Sequence, residues 1–315
     1  MLLWTILGRR RLQRVLYQTS WNAYFVLFPS FAVLLITSLA ILSLWPDILL
    51  LKSSTSADEG TNSTKGVPIT FYVCCHSVGR EAASKHITLR NNAIQLTCSS
   101  SYFQRLYSAH KDIALPQVWP RHSDEVLNPP NARKRFLHNQ YKCWMENRSL
   151  RSLRNKIVFF AGRVQNSGIR QQLLTLWRND TSFDIFSGHP SYPYEEGFRR
   201  SKYCLHVKGY EVNTARISDA IHYGCIPVLI SNYYDLPFAN ILDWSKFSII
   251  VNQADVALLK HILMSVSEQT YLNLYRNLCM VRKHFKWHAD PVSYDAFHMT
   301  AYQLWVRRGL HRLVT

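Results

Sequence analysis

From Ala23 to Trp45 (AYFVLFPSFAVLLITSLAILSLW) the chain runs 23 residues without a charged side chain, and no other feature constrains it as strongly. As a helix this segment would measure about 34 Å, enough to cross a bilayer core of roughly 30 Å. Pro29 lies near its start, where a kink is tolerated. Arg9, Arg10, Arg11 and Arg14 precede it with no acid among them, which by the positive-inside rule keeps residues 1–22 cytosolic. Trp21, Tyr24 and Trp45 are placed as interfacial anchors. A cleaved leader would have an apolar run of roughly 7–15 residues ending in small side chains. This run is longer and ends in Leu-Trp-Pro. The pattern predicts an uncleaved signal anchor over 23–45, with everything from Pro46 onward lumenal.

Three sequons fit that side, at Asn62, Asn147 and Asn179. All 7 cysteines also follow the anchor, in a disulfide-permissive compartment, and an odd number leaves at least one without an intramolecular partner. Cys204 and Cys225 sit inside apolar runs and read as buried small hydrophobes rather than a bridge. The chain carries 37 Lys+Arg against 20 Asp+Glu, a net +17 that favours polyanions such as phosphates, nucleic acid, anionic lipid or acidic polysaccharide. Lumenal placement argues against nucleic acid. With 47% hydrophobic and 18% charged residues, the bulk of the chain is not a solvated tail.

Residues 46–66 read as a linker, because Lys52–Gly66 (KSSTSADEGTNSTKG) is small, polar and free of large apolar side chains. Residues 67–154 form a short first lobe, in which Ile69–Cys74, Ala93–Cys98 and Asp112–Leu115 read as strands. Its second half, Arg121 to Arg154, is polar and basic. Residues 155–315 are more regular. Strands are predicted at Lys156–Ala161, Phe183–Phe186, Tyr203–Val207, Ile226–Ile230 and Phe247–Val251, and helices at Ile169–Trp177, Thr214–Tyr223, Asp255–Ser265, Glu268–Phe285 and Asp295–Arg308. This alternation implies an α/β fold with a parallel, doubly wound sheet, whose ligands sit in loops at the carboxyl ends of strands.

Two of those loops carry recognisable chemistry. The first contains Gly162 and Arg163, a glycine that admits close backbone approach beside a guanidinium that forks onto phosphate oxygens. The second runs Lys208-Gly209-Tyr210-Glu211 into the Thr214–Tyr223 helix, whose free N–H groups favour an anion such as a diphosphate. Glu211 in the loop and Asp219 two turns into the helix are expected to face one pocket, where carboxylates accept from sugar or ribose hydroxyls, with Arg216 between them. Simple helix capping, with Thr214 as N-cap, is the competing explanation of this polar cluster.

The stretch Ser201–Ile221 (SKYCLHVKGYEVNTARISDAI), followed by Gly224-Cys-Ile-Pro-Val-Leu-Ile-Ser231, resembles the exostosin family, glycosyltransferase family 47. Phe159-Phe-Ala-Gly-Arg163, Arg170-Gln-Gln-Leu-Leu174, Tyr234-Asp-Leu-Pro-Phe238, Leu242-Asp-Trp244, His284-Phe285 and Tyr294-Asp-Ala-Phe-His-Met299 are similar to its plant members. The resemblance implies a GT-B-like enzyme of two Rossmann-like lobes in the Golgi membrane, moving a sugar from a nucleotide diphosphate donor to a cell-wall polysaccharide. On the matching positions, Arg163 and Arg216 would meet the diphosphate, Glu211 the donor sugar or ribose, and Asp219 the ribose. No Asp-x-Asp occurs in the chain, so the resemblance implies no metal cofactor, with arginine and helix dipole in its place.

Two departures from the family pattern bear on activity. The first lobe is short, and Cys75-His76-Ser77-Val-Gly79 stands where the family commonly reads His-Asp-x-Gly, so Ser77 replaces an acid. An inverting transfer needs a base for the acceptor hydroxyl. His76 is the first choice, with Glu81, His110 and Asp112 as alternatives. A catalytically silent partner subunit of a glycosyltransferase complex, an anionic-glycan binder, or a truncated product are the competing readings. Other chemistries fare poorly: there is no Gly-x-Ser-x-Gly and no P-loop, and His284-x3-His288 has zinc-pair spacing without a third ligand.

Overall fold

Short runs of β-branched and aromatic residues such as Phe-Tyr-Val and Ile-Gln-Leu-Thr cannot bury themselves alone, and they pair into a first, parallel sheet. The computed structural model of the protein describes residues 70–103, 106–118, 154–165 and 167–314. The predicted anchor over 23–45, the linker over 46–66, Asn62 and Asn147 lie outside the described residues. The first sheet has the order β1 (Phe71–Val73), β2 (Ile94–Thr97), β3 (Ile113–Ala114). Two short helices, α1 (Ser77–Ser84) and α2 (Ile87–Asn92), make the β1–β2 crossover. All three strands fall inside the predicted segments, shortened at their ends. The two helices were not predicted, since 8 and 6 residues are too few to display a 3.6-residue apolar period.

The second sheet is longer and fully parallel: β4 (Lys156–Gly162), β5 (Phe183–Ser187), β6 (Ser201–Val207), β7 (Ile226–Ile230) and β8 (Ile249–Ile250), in the order β5-β4-β6-β7-β8. Its strands read as nearly unbroken apolar runs because both faces are covered. Val158 and Phe160 of β4 enter a large core with Leu173 of α3 (Gly168–Trp177). Phe159 and Ala161 enter a second core with Phe198 of α4 (Tyr194–Arg200) and Ala220 of α5 (Ala215–Tyr223). Gly224 ends α5 in the left-handed region at φ 68, a conformation that a Cβ would penalise. Downstream, the predicted Asp255–Ser265 helix divides into a 3₁₀ turn, Gln253–Leu258, and α6 (Leu259–Met264). The predicted Glu268–Phe285 helix is α7 (Glu268–Val281) followed by a 3₁₀ turn at Arg282–Phe285. The last helix, α8 (Ala296–Val314), packs back on β3 of the first sheet, where Arg307 donates to the Ala109 carbonyl at 2.6 Å. No helix among the described residues is long and apolar enough to cross a membrane.

The cysteines correct the sequence reading. Cys204 and Cys225 are not separate small hydrophobes but a disulfide, with Cα atoms 5.8 Å apart. The apolar runs conceal this because the pairing depends on strand register: Cys204 lies opposite Pro227, two residues beyond Cys225, which brings the two cysteines within reach. A second bridge, Cys75–Cys98, joins the carboxyl ends of β1 and β2, Cys279 is also disulfide-bonded, and Cys74 is a buried free thiol. The Cys204–Cys225 bridge closes a loop with a sequence separation of 21 that contains the whole of α5. Replacing both cysteines by alanine is expected to lower unfolding stability by about 3 kcal/mol, read from the denaturation midpoint. A midpoint equal to wild type would show that α5 is held without it.

Candidate functional site

The strand order β5-β4-β6-β7-β8 means that the chain leaves β4 toward one edge and builds β6, β7 and β8 toward the other. Right-handed crossovers then carry α3 and α5 to opposite faces, opening a crevice between the carboxyl ends of β4 and β6. Those ends are Gly162 and Val207. The two loops singled out by their chemistry therefore emerge at the topological switch point.

Two arginines fill this crevice. Arg216, in the first turn of α5, donates from Nε to the Ala161 carbonyl at 2.8 Å. Arg170, in the first turn of α3 and 5% exposed, donates to the Val207 carbonyl at 2.8 Å and to the Arg163 carbonyl at 2.8 Å. It thereby ties the loop after β4 to the end of β6. Both guanidiniums lie against the ring of Phe160, at 5.6 Å for Arg170 and 5.2 Å for Arg216. Burial, and then the charge of Arg216, lowers the Arg170 pKa to about 10. The hydrogen bonds of both go to main-chain carbonyls, so the pair keeps its positive charge for something else.

Glycines make room for them. A Cβ on Gly162 would lie 2.0 Å from a terminal nitrogen of Arg216, and one on Gly209 would lie 2.7 Å from a terminal nitrogen of Arg170. Arg163 itself is exposed at the mouth of the crevice.

The helices that open at the crevice lack side-chain caps. Ser167 and Thr214 occupy the N-cap positions of α3 and α5, but neither side chain bonds a first-turn amide. Thr214 instead directs its hydroxyl to Nδ1 of His206, 3.0 Å away. Elsewhere α1 is capped by His76 and α7 by Ser267. His206 is buried, its Nε2 has no hydrogen-bond partner among the described residues, and burial with the nearby Arg216 charge lowers its pKa to about 3. The ring is thus neutral at physiological pH. Free amides, a helix dipole and two guanidiniums converge here, which is the arrangement that holds a diphosphate.

Glu211 stands in the loop after β6, and Asp219 lies within α5. Glu211, in the loop, is half-buried. Asp219 is 3% exposed, one turn beyond Arg216 on α5, and both charges reach Tyr194 of α4. Of the residues weighed as a base, His76 follows β1 at its carboxyl end, exposed, with Nδ1 accepting from the Val78 amide at 3.3 Å. Glu81 is exposed on α1, and His110 is exposed with its ring against the Ser108 hydroxyl at 3.2 Å. Asp112 is buried at the amino end of β3, away from the carboxyl edge. Its oxygens accept from the Gln95 and Ser108 amides and pair with Lys111 at 2.7 Å.

The sequence reading gave Arg170 no role of its own and overlooked His206. A signal for the arginines was present, since neither α3 nor α5 has an acid in its first turn and each has an arginine there, against the helix dipole. Local rules broken twice at matching positions mark a site.

His284 and His288 have separate partners. His284 Nδ1 lies 2.6 Å from the Tyr294 carbonyl, and His288 Nδ1 lies 3.1 Å from Asp295. Among the described residues no group of three or more His, Cys, Asp or Glu is arranged to hold a metal ion. Asp295 is buried and accepts from His288, from His298 and from the Val292 and His298 amides, the last of these capping α8. Burial alone would raise its pKa, but the hydrogen bonds from the two histidines and two amides outweigh it, so the folded value is lowered. Its contribution is therefore present above the unfolded carboxylate value of about 3.9 and lost as pH falls below it. Comparing denaturation midpoints at pH 5 and pH 3, wild type should lose more stability than Asp295→Asn. Equal losses would remove Asp295 from the acid response.

A profile of the exostosin GT47 domain matches residues 70–266. Two probable glycosyltransferases of Arabidopsis thaliana are 34% identical over 242 residues and 32% identical over 249 residues. These matches cover 76% and 78% of this chain but 43% and 48% of the relatives, so the chain spans less than half the length of each. A probable beta-1,4-xylosyltransferase of the same plant is 31% identical over 133 residues, 42% of this chain and 32% of that one.

Proposed function

Because the chain belongs to the exostosin GT47 family, we propose that it is a GT-B-like glycosyltransferase of the Golgi membrane, anchored as a type II protein through residues 23–45. It transfers a sugar, with inversion, from a nucleotide diphosphate donor to a cell-wall polysaccharide. The names of its relatives point to a pentosyl or uronosyl unit. One observation carries this reading: Arg170 and Arg216 meet over Phe160 at the switch point, beside two helix N-termini without side-chain caps. On this reading the guanidiniums and the amides of α5 neutralise the diphosphate without a divalent metal, Arg163 closes over it, and Glu211 and Asp219 bind sugar or ribose hydroxyls. His76 is the proposed base. It follows β1 at its carboxyl end, and the donor loop meets the first-lobe segment where Asn213 donates to Gln117 at 3.1 Å.

The test is a transfer assay on the full-length chain with labelled nucleotide sugars, among them those of xylose and glucuronic acid, and a panel of cell-wall oligosaccharides. Transfer that survives a chelator and falls by about 10²–10⁴ in His76→Ala, with donor affinity kept, is the expected result. Failure to bind any nucleoside diphosphate would sink the proposal. Binding without transfer would favour the silent-subunit reading, for which Ser77 and the short first lobe of residues 67–154 speak. The lumenal topology is tested separately at Asn179, which is exposed in the turn after α3. Glycosidase treatment of protein from plant microsomes should remove a glycan there, and a cytosol-exposed residue 179 would overturn the topology.

A further inference from the structure

The two most exposed large apolar side chains among the described residues are Phe103 and Tyr210, each 79% accessible, and Tyr233 is 62% accessible. Each stands in a different carboxyl-edge loop: Phe103 after β2, Tyr210 after β6 and Tyr233 after β7. Val207 and Ile230 are register partners, so the loops of Tyr210 and Tyr233 leave the second sheet side by side. The loop of Phe103 reaches them from the first sheet. Ser101 bridges Tyr234, the Tyr102 amide donates to the Tyr233 carbonyl at 2.9 Å, and the Asp235 amide donates to the Ser100 carbonyl at 2.9 Å. The carboxyl edges of both sheets thus meet at one seam, and the Phe103 and Tyr233 rings lie across it, 5.7 Å apart and tilted by 40°. Tyr233 has φ 63, an uncommon backbone for a bulky residue, and it leaves the ring outside while Tyr234 beneath it packs on His206.

We propose that Phe103 and Tyr233 form a stacking platform for the glycan acceptor, with Tyr210 as its third ring beside the donor loop. This rests on the glycosyltransferase reading above and adds to it where the acceptor lies. Several features select a sugar over an apolar partner. The exposed groups are aromatic, and in sequence Tyr210 and Tyr233 stand near Lys208, Glu211, Ser231, Asn232 and Asp235. A pyranose offers axial C–H bonds to an aromatic face and hydroxyls to the polar residues around it, whereas a lipid surface or a protein partner would call for a continuous apolar patch. The platform also adjoins the switch-point crevice directly, since Tyr210 lies between Gly209 and Glu211.

The probes are soluble oligosaccharides of β-1,4-xylan, β-1,4-galactan, α-1,5-arabinan and homogalacturonan, titrated against the full-length chain, with phosphatidylcholine vesicles as a second arm. At least one glycan should bind, and Phe103→Ala and Tyr233→Ala should each weaken it by roughly tenfold or more, the scale of losing one stacked ring. Phe103→Tyr and Tyr233→Phe should bind as wild type does. In the transfer assay the alanine variants should raise the acceptor KM and leave kcat and nucleoside diphosphate affinity nearly unchanged. Alanine variants that bind glycan normally would overturn the platform, as would a protein that binds nucleoside diphosphate but none of the glycans. Vesicle binding lost in the same variants would reassign the rings to a lipid surface. Loss of nucleotide binding in the wild type would instead strike the glycosyltransferase reading.

Discussion

Arg216→Ala is expected to weaken nucleoside diphosphate binding by about ten- to a hundredfold while the protein stays folded. A charge-assisted hydrogen bond is worth about 1.5–3 kcal/mol, and each 1.4 kcal/mol is a factor of ten. Arg216 is half-buried with its Nε engaged by the Ala161 carbonyl, and on the proposed reading its terminal nitrogens meet the diphosphate. Arg216→Lys should recover only part of the loss, because a point charge cannot replace a planar fork held against Phe160. Gly162→Ala should act in the same direction with Arg216 still present. Its Cβ would fall 2.0 Å from the Arg216 terminal nitrogen, so the flexible guanidinium would have to leave its place. Calorimetric titration with a nucleoside diphosphate checks all three variants. Wild-type affinity in Arg216→Ala would remove this arginine from the donor site.

Arg154→Ala should be the most damaging change to stability, by about 3–5 kcal/mol. Its guanidinium is 5% exposed and donates to the Phe198 and Ser201 carbonyls at the end of α4. It also donates to the Tyr223 and Gly224 carbonyls at the end of α5, the latter at 2.8 Å, and lies 5.9 Å from the Tyr275 ring. One cation therefore satisfies the negative ends of two helix dipoles. Truncation would leave several buried carbonyls without a donor, each costing about 1–3 kcal/mol before any relaxation. Arg154→Lys keeps the charge but cannot span four acceptors, so it should recover less than half of the loss. The check is a chemical denaturation curve, and a loss below about 1 kcal/mol would show that water replaces the guanidinium.

Arg154 also shows where sequence reasoning stops. It closes a basic, polar stretch, and nothing in its neighbours announces a buried role. The register of β6 and β7 hid the Cys204–Cys225 bridge in the same way, because adjacent runs of apolar residues carry no sign of how they pair. The Glu211–Asp219 spacing was visible, yet its meaning depended on what covers each residue. Asp219 is buried within α5, whereas Glu211 is half-buried in the loop before it.

The sequence by itself determined the parallel α/β sheet of the second half and which loops bear glycine and arginine. Period and composition act over a few residues and need no partner. Strands buried on both faces must be apolar throughout, and a loop that receives a ligand's phosphates must offer glycine and cationic side chains. The tertiary structure alone decided that Arg170 would join Arg216 over Phe160, that Thr214 would leave the α5 amides for His206, and that Phe103 would cross the seam to Tyr233. Each of these joins residues from separate elements, up to 130 positions apart in the case of Phe103 and Tyr233. Contacts of that kind are set by strand order and register, which emerge only when the whole core packs.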